Sequence, residues 1–168
     1  MNNKASYCIF VLICFFILLS CKDHKNLYEK NLNLYKDLVN DLNTYFLDTN
    51  STSINLSKYL SEDFVFSFYP VGHKKGLTID KDEYIDSVLV MKKNNFIFNI
   101  VHSIYLPGLD EQTYNIDGSV RVYYGAILTN DSTNIEFSAY QTVNYVDGKI
   151  NGIWEWADYS GIKQQMLN

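Results

Sequence analysis

Two carboxylates near the C-terminal end of the chain have the chemistry to move a proton. Asp158 has the same strand parity as Trp154 and Trp156, so this carboxylate and both indoles are expected on one face. An aromatic setting favours the protonated form of a carboxyl group, which suits proton transfer beside a carbonyl. Glu155 falls on the opposite face, and without a bulge only one of the two can point into a cavity. The alternative for Asp158 is a cap at the strand end or the C-terminal turn.

His102 is the second candidate for acid/base chemistry. The spacing puts it on the apolar face of a strand with Phe98 and Ile100, where a neutral imidazole can donate or accept a proton. A core histidine bonded to backbone or tyrosine explains the same position, and this interpretation is favoured because no partner residue is placed. Catalysis by Asp158 and His102 therefore requires both side chains to reach one cavity.

Four further residues are predicted to contact a ligand. Tyr124 and Gln141 lie on the apolar faces of their strands, where a hydroxyl or an amide needs a hydrogen-bond partner. Trp154 and Trp156 add aromatic surface on the face of Asp158. Hydrogen bonding within the core is the alternative explanation for the tyrosine and the glutamine.

Composition and motifs exclude several classes of site. The chain has 14 Lys plus Arg against 19 Asp plus Glu, a net charge of -5, and Arg121 is its one arginine. Nucleic acid is therefore not expected as a partner. The sequence has no glycine-rich phosphate loop, serine elbow or His-Glu-x-x-His motif. His24 and His73 stand in polar segments without paired ligands, so neither a metal site nor a cofactor is predicted.

These candidates must be positioned by three helical segments and a set of strands. Apolar residues at helical spacing predict a helix over 27–47, a short helix over 54–60 and a third helix over 80–93. A strand is predicted over 64–69. From residue 95 the period changes to two, through four long strands joined as a meander. Helices segregated from an antiparallel sheet make an α+β domain.

The N-terminal residues have the order of a secretory signal. Lys4 precedes an uncharged apolar run at 7–19, and the small Ser20 precedes Cys21. This ending resembles a bacterial lipobox, in which the signal is cut before a cysteine that then carries fatty-acyl chains. The resemblance implies a cell-envelope protein held by lipid on Cys21 to a bacterial membrane, with the outer membrane expected. An uncleaved spanning anchor is the alternative, but the run has 13 residues where a spanning helix needs about 20.

The chain is thus expected to divide into a signal peptide at 1–20, a lipidated tether at 21–26 and one domain at 27–168. Removal of the signal takes Cys8 and Cys14 with it, so the domain has no cysteine for a disulfide or a thiolate site. Its stability must then come from its apolar core.

Residues 147–158 read Asp-Gly-Lys-Ile-Asn-Gly-Ile-Trp-Glu-Trp-Ala-Asp. This segment resembles the closing hairpin and strand of SnoaL-like domains, which belong to the nuclear-transport-factor-2-like superfamily. The resemblance implies a cone in which a curved antiparallel sheet wraps a long N-terminal helix, with two further helices and a pocket at the open end. The superfamily includes isomerases, polyketide cyclases, dehydratases and epoxide hydrolases, and its fold does not settle function. Neither the Asp-Arg-Asp set of the epoxide hydrolases nor the isomerase set of a tyrosine with two aspartates can be matched here.

Three functions remain open at this stage. The preferred one is a membrane-anchored pocket domain that binds a small apolar molecule or a protein partner without catalysis. The second is a SnoaL-like enzyme of the isomerase, cyclase or dehydratase kind, using Asp158 and His102. The third is a structural role in which the outer face of the sheet forms a homodimer through Tyr123, Ile127 and Tyr140.

Overall fold

The computed structural model of the chain describes residues 3–130 and 133–166, with side chains from residue 25 onward within those ranges. The predicted signal peptide and the side chain of Cys21 lie outside the described side chains, so the lipidation prediction stays a prediction. The first helix runs without a break through the predicted tether at 21–26. Within the described part of the chain, no helix combines the length and the apolar composition that crossing a bilayer requires.

The described elements are three α-helices, one 3-10 turn and six strands. In chain order they are α1 (Asn3–Leu47), the 3-10 turn (Leu56–Lys58), β1 (Leu60–Phe68), β2 (Leu77–Asp80), α2 (Lys81–Lys93), β3 (Phe96–Leu109), β4 (Ile116–Asn130), β5 (Thr133–Val146), β6 (Lys149–Ala157) and α3 (Tyr159–Met166). The predicted short helix over 54–60 is a single 3-10 turn. It has no room to extend, because the fully buried Leu60 already pairs with Ile150 as part of the sheet.

The six strands form one sheet in the order β2-β1-β6-β5-β4-β3. Strands β3 to β6 pair antiparallel with their neighbours along the chain, as predicted for the meander. Strand β1 differs, because it pairs with β6 in parallel. The sheet is therefore mixed rather than wholly antiparallel. The edge of β6 needs hydrogen-bond partners, and β1 supplies them from an earlier part of the chain.

Helix α1 lies against the concave face of the sheet and supplies much of the core. Its buried side chains recur at helical spacing and include Tyr35, Leu38, Leu42 and Phe46. They contact the inward positions of β3 and β4. Asp80 is the N-cap of helix α2: its side chain accepts a hydrogen bond from the Glu83 N–H, while the Glu83 side chain accepts one from the Asp80 N–H. The predicted capping box is thus confirmed.

A bulge in β3 changes which residues face the core. Ile100 pairs with Ala126, whereas His102 pairs with Gly125, so one residue of β3 is left without a partner. The side chain of Asn43 on α1 donates to the Ile100 carbonyl and accepts from its N–H, which holds the strand at this point. Beyond the bulge the parity reverses. His102 faces outward, so its predicted inward position, in line with Phe98 and Ile100, is wrong.

Candidate functional site

A cavity of about 330 Å³ lies between the concave face of the sheet, α1, α2 and α3. Aliphatic and aromatic side chains form most of its wall. Its exposed members are Ser87 on α2 and Met166 on α3, so we place the mouth of the cavity between these two helices. This volume is at the lower end of the range for small-molecule sites.

Glu155 is the carboxylate of this cavity. Strand β6 alternates its side chains, so Ile153 and Glu155 face inward while Trp154 and Trp156 face the other side of the sheet. The Glu155 side chain is buried, with 8% of its surface exposed. A carboxylate at this depth must be hydrogen-bonded to remain charged.

Three donors meet the two oxygens of Glu155. Its Oε2 accepts a hydrogen bond from the Tyr124 hydroxyl at 2.6 Å and another from Gln141 Nε2 at 2.5 Å. Its Oε1 accepts the hydroxyl of Tyr159, the first residue of α3. The Tyr35 hydroxyl donates to Gln141 Oε1 at 2.6 Å, which turns the amide nitrogen towards Glu155. The result is a hydrogen-bond network whose donors lead, directly or through Gln141, to the carboxylate of Glu155.

The register of the sheet brings this network together. Gln141 on β5 lies directly opposite Glu155 on β6, and Val122 on β4 lies opposite Gln141. Tyr124 is two residues along from Val122, so it faces the same side of the sheet. Long side chains on neighbouring strands at this offset can touch. Tyr35 reaches the network from α1, on the other wall of the cavity.

The tyrosines of the network stay protonated over a wide pH range. Burial raises the pKa of Tyr35 and of Tyr124, and the negative charge of Glu155 raises both further. The pKa of Tyr159 and that of Tyr84, another residue of the cavity wall, are raised by the same two causes. These hydroxyls are therefore neutral hydrogen-bond donors rather than phenolates.

The structure divides the residues that were predicted as ligand contacts. Tyr124 and Gln141 line the cavity, as their strand faces suggested. Trp154 and Trp156 do not, because their parity puts them on the outer face of the sheet, where Trp156 is 41% exposed. Trp156 stacks there on Tyr69 and lies against the tilted ring of Tyr140.

Asp158 and His102 are not brought together. Asp158 is exposed, and its Oδ1 accepts a hydrogen bond from the Gly161 N–H at 2.9 Å, so it caps α3. This is the alternative that the sequence left open. His102 lies outside the sheet over Gly125, where a Cβ would come within 2.1 Å of the imidazole Cε1. Neither side chain lines the cavity.

Sequence reasoning gave Glu155 only as the alternative to Asp158 for the inward carboxylate, and it did not name Tyr159 as a site residue. A usable signal for Glu155 was present, since its parity neighbours Ile153 and Ala157 are apolar and small. A carboxylate on an otherwise apolar strand face points to a buried polar site. Tyr159 carried no such signal, because its position depends on where β6 ends and α3 begins.

Three solved structures have the same fold as this chain. A phenazine biosynthesis-related protein from Pseudomonas aeruginosa has a TM-score of 0.62 and 13% identity, covering 87% of this chain and 90% of its own. A Xanthomonas campestris protein, provisionally described as a polyketide cyclase, has a TM-score of 0.61 and 12% identity, and the match covers 83% of this chain and 98% of that protein. An LEH-like epoxide hydrolase from M. tuberculosis has a TM-score of 0.54 and 15% identity, and the match covers 83% of this chain and 86% of that enzyme. No family model and no curated protein sequence matches the chain. At these identities the likeness concerns the fold alone, and it confirms the predicted α+β cone in which a curved sheet wraps a long helix.

Proposed function

We propose that this chain is a membrane-anchored protein whose cone binds a small, largely apolar molecule and does not transform it. The observation that carries the proposal is the cavity of about 330 Å³, walled mostly by apolar side chains with one polar network at Glu155. An apolar cavity with a few convergent polar groups is the usual form of a small-molecule site. The polar groups fix the orientation of the ligand and the apolar wall supplies most of the affinity.

The state of Glu155 favours binding over catalysis. The carboxylate already accepts three hydrogen bonds from neutral donors, which hold it within the network of the cavity wall. No histidine, lysine, arginine or second carboxylate lines the cavity among the described residues. A proton-transfer site usually needs such a partner to complete its cycle.

The alternative is an enzyme in which Glu155 takes a proton from, or activates water against, a bound substrate. It is favoured by one observation, that a buried carboxylate faces a cavity large enough for a substrate. Two of the proteins with the same fold are described as an epoxide hydrolase and, provisionally, as a polyketide cyclase. Turnover of an epoxide or an enolisable ketone by the wild-type chain, and its loss in Glu155→Gln, would establish this alternative.

A tryptophan at the mouth of the cavity tests the binding function. The probe is N-phenyl-1-naphthylamine, a neutral apolar dye whose fluorescence rises when it leaves water. We expect the wild-type chain to bind it and Ser87→Trp to bind at least about tenfold more weakly, a loss of about 1.4 kcal/mol. The indole would occupy the entrance without replacing a core residue, since Ser87 is exposed.

Thr44→Trp is the matched control for this experiment, because Thr44 lies on the exposed side of α1 and outside the cavity wall. It should bind the dye as the wild-type chain does. Equal binding by both tryptophan variants would mean that the dye does not enter through this mouth, and no binding by the wild-type chain would contradict the pocket function.

Cys21 is the residue that we expect to carry the lipid anchor. Two or more acyl chains hold a protein to a membrane stably, whereas the protein without them has no comparable attachment. Expression of Cys21→Ser in a bacterial host should give a chain that incorporates no labelled palmitate and, if exported, fractionates away from membranes. Cys14→Ser is the control and should be labelled like the wild-type chain. A labelled, membrane-bound Cys21→Ser would refute the anchor.

We also propose that the chain pairs with a second copy through the outer face of its sheet. Ile104, Tyr123, Tyr140 and Trp156 are cross-strand neighbours there, and Tyr69 stacks on Trp156 at 4.7 Å; we call these five residues the outer aromatic row. Ile104 and Tyr123 are at least half exposed. The row is uncharged, so two chains of net charge -5 can meet along it without bringing their carboxylates together.

Sedimentation velocity tests the pairing. The wild-type chain should sediment as a dimer at micromolar concentration, and Tyr123→Glu as a monomer, because it buries a charge within the row. Val71→Glu is the control, since Val71 is 83% exposed but lies in a loop outside the row, and it should remain dimeric. A monomeric wild-type chain would remove this proposal and leave the cavity unaffected.

A further inference from the structure

The cavity contains a negative charge without a positive one. Among the described side chains that line it, Glu155 is the only carboxylate, and none is a lysine, arginine or histidine. Glu155 also belongs to none of the ion pairs of the described residues, which join Lys25 to Glu29, Lys58 to Asp41 and Lys81 to Glu62. The charge of Glu155 is thus balanced only by hydrogen bonds from neutral groups.

The geometry of these hydrogen bonds favours the ionised form of Glu155. An ionised carboxylate only accepts hydrogen bonds, whereas a protonated one must also donate. The amide nitrogen of Gln141 can only donate, and its orientation is fixed because Tyr35 donates to the amide oxygen. The hydroxyls of Tyr124 and Tyr159 complete a set of three contacts that an ionised carboxylate satisfies in full.

We infer that the ligand is an organic cation: an apolar molecule with one protonated amine, which pairs with Glu155 while its apolar part fills the cavity. This inference rests on the proposed binding function and specifies the class of its ligand. A buried charge without a counter-ion is costly, and a cationic ligand removes that cost at the moment of binding. A neutral ligand leaves it in place, and an anionic ligand adds to it.

The rest of the wall suits such a cation. Phe66, Tyr84, Phe98, Tyr124 and Phe137 all line the cavity, and aromatic rings attract ammonium groups through their faces. The hydroxyl of Tyr84 is a further group of this wall that can accept a hydrogen bond from an ammonium group. The net charge of -5 also raises the local concentration of cations and lowers that of anions such as fatty acids.

Three ligands of nearly the same shape test the inference. 1-Naphthalenemethylamine is a cation at pH 7, 1-naphthalenemethanol is neutral and 1-naphthoate is an anion. In isothermal titration calorimetry with the full-length chain at physiological salt, the amine should bind at least about tenfold more tightly than the alcohol. The anion should bind most weakly. Physiological salt suppresses unspecific attraction of the amine to the acidic surface.

Glu155→Gln should remove the preference for the amine, measured as the ratio of the amine and alcohol affinities in the same variant. Ile162→Lys is a second variant that keeps Glu155. Ile162 lines the cavity one turn after Tyr159, so a lysine there supplies the missing positive charge and should also abolish the preference.

The outcomes separate this inference from the function on which it rests. Equal affinity for amine and alcohol, or tighter binding of the anion, would overturn the cationic ligand and leave the binding function standing. A preference for the amine that survives in both variants would place the responsible charge elsewhere and would also overturn it. Binding of none of the three ligands would contradict the binding function itself.

Discussion

Phe64→Ala is expected to lower the free energy of unfolding by about 3–5 kcal/mol, the range for large aromatic side chains removed from a core. Phe64 is 1% exposed and packs against the ring of Tyr84 at 5.3 Å, which joins β1 to α2. The ring of Phe66 also contacts Tyr84, at 5.3 Å. It cannot move into the space vacated by Phe64 without losing this contact. Urea denaturation of the full-length chain, followed by circular dichroism, measures the loss.

Val65→Ala is the control for this prediction. Val65 is the next residue of β1 and is only half-buried on the opposite face, so its truncation should cost about 1 kcal/mol. A loss below about 1.5 kcal/mol in Phe64→Ala would contradict the prediction, because it would mean that α2 closes over the vacated volume. In that case α2, which contributes Tyr84 to the cavity wall, can shift its position more easily than its packing indicates.

Gln141→Leu is expected to destabilise the chain by about 2–4 kcal/mol, although leucine is similar in size and more apolar. The substitution leaves the buried Tyr35 hydroxyl without its acceptor and takes one of three donors from Glu155. An unsatisfied buried group costs about 1–3 kcal/mol, and more when it is charged. Chemical denaturation at pH 7 measures the total loss in the free energy of unfolding from both effects.

A double-mutant cycle shows whether the loss comes from the network. In a Glu155→Leu background, Gln141→Leu should cost less than in the wild-type chain, since no carboxylate is left without its donor, and the coupling should be about 1–3 kcal/mol. Tyr35→Phe, which removes one hydrogen bond, should cost about 1 kcal/mol. Additive losses from Gln141 and Glu155 would mean that the two side chains act separately, contrary to their contact at 2.5 Å.

Local signals in the sequence correctly predicted the start of α2 and the last hairpin. The capping box of Asp80 and Glu83 is present, and Asp147 and Gly148 turn the last hairpin with φ values of +49° and +74°. Both depend on residues close together in the chain, where side-chain chemistry and backbone conformation are directly coupled. The alternation of apolar residues in β4 and β5 likewise identified Tyr124 and Gln141 as inward-facing.

What the sequence could not settle depends on contacts between distant segments. The inward position of His102 failed at a bulge that Asn43, 57 residues away from Ile100, helps to hold. Parity correctly placed Glu155 and the two tryptophans on opposite faces of β6, but only the curvature of the sheet decides which face is concave. The parallel pairing of β1 with β6 similarly joins segments that no local pattern connects.

The weak attachment of the last helix, α3, affects how a ligand can enter and leave the cavity. None of its described side chains is fully buried, and Tyr159, which touches both Glu155 and Phe68, provides its firmest attachment. Such a weakly held segment can detach at a small fraction of the free energy that global unfolding requires. Guest molecules can thus enter and leave by transient fraying of eight residues while the sheet stays intact. Occupancy should then register as slowed amide exchange in this helix.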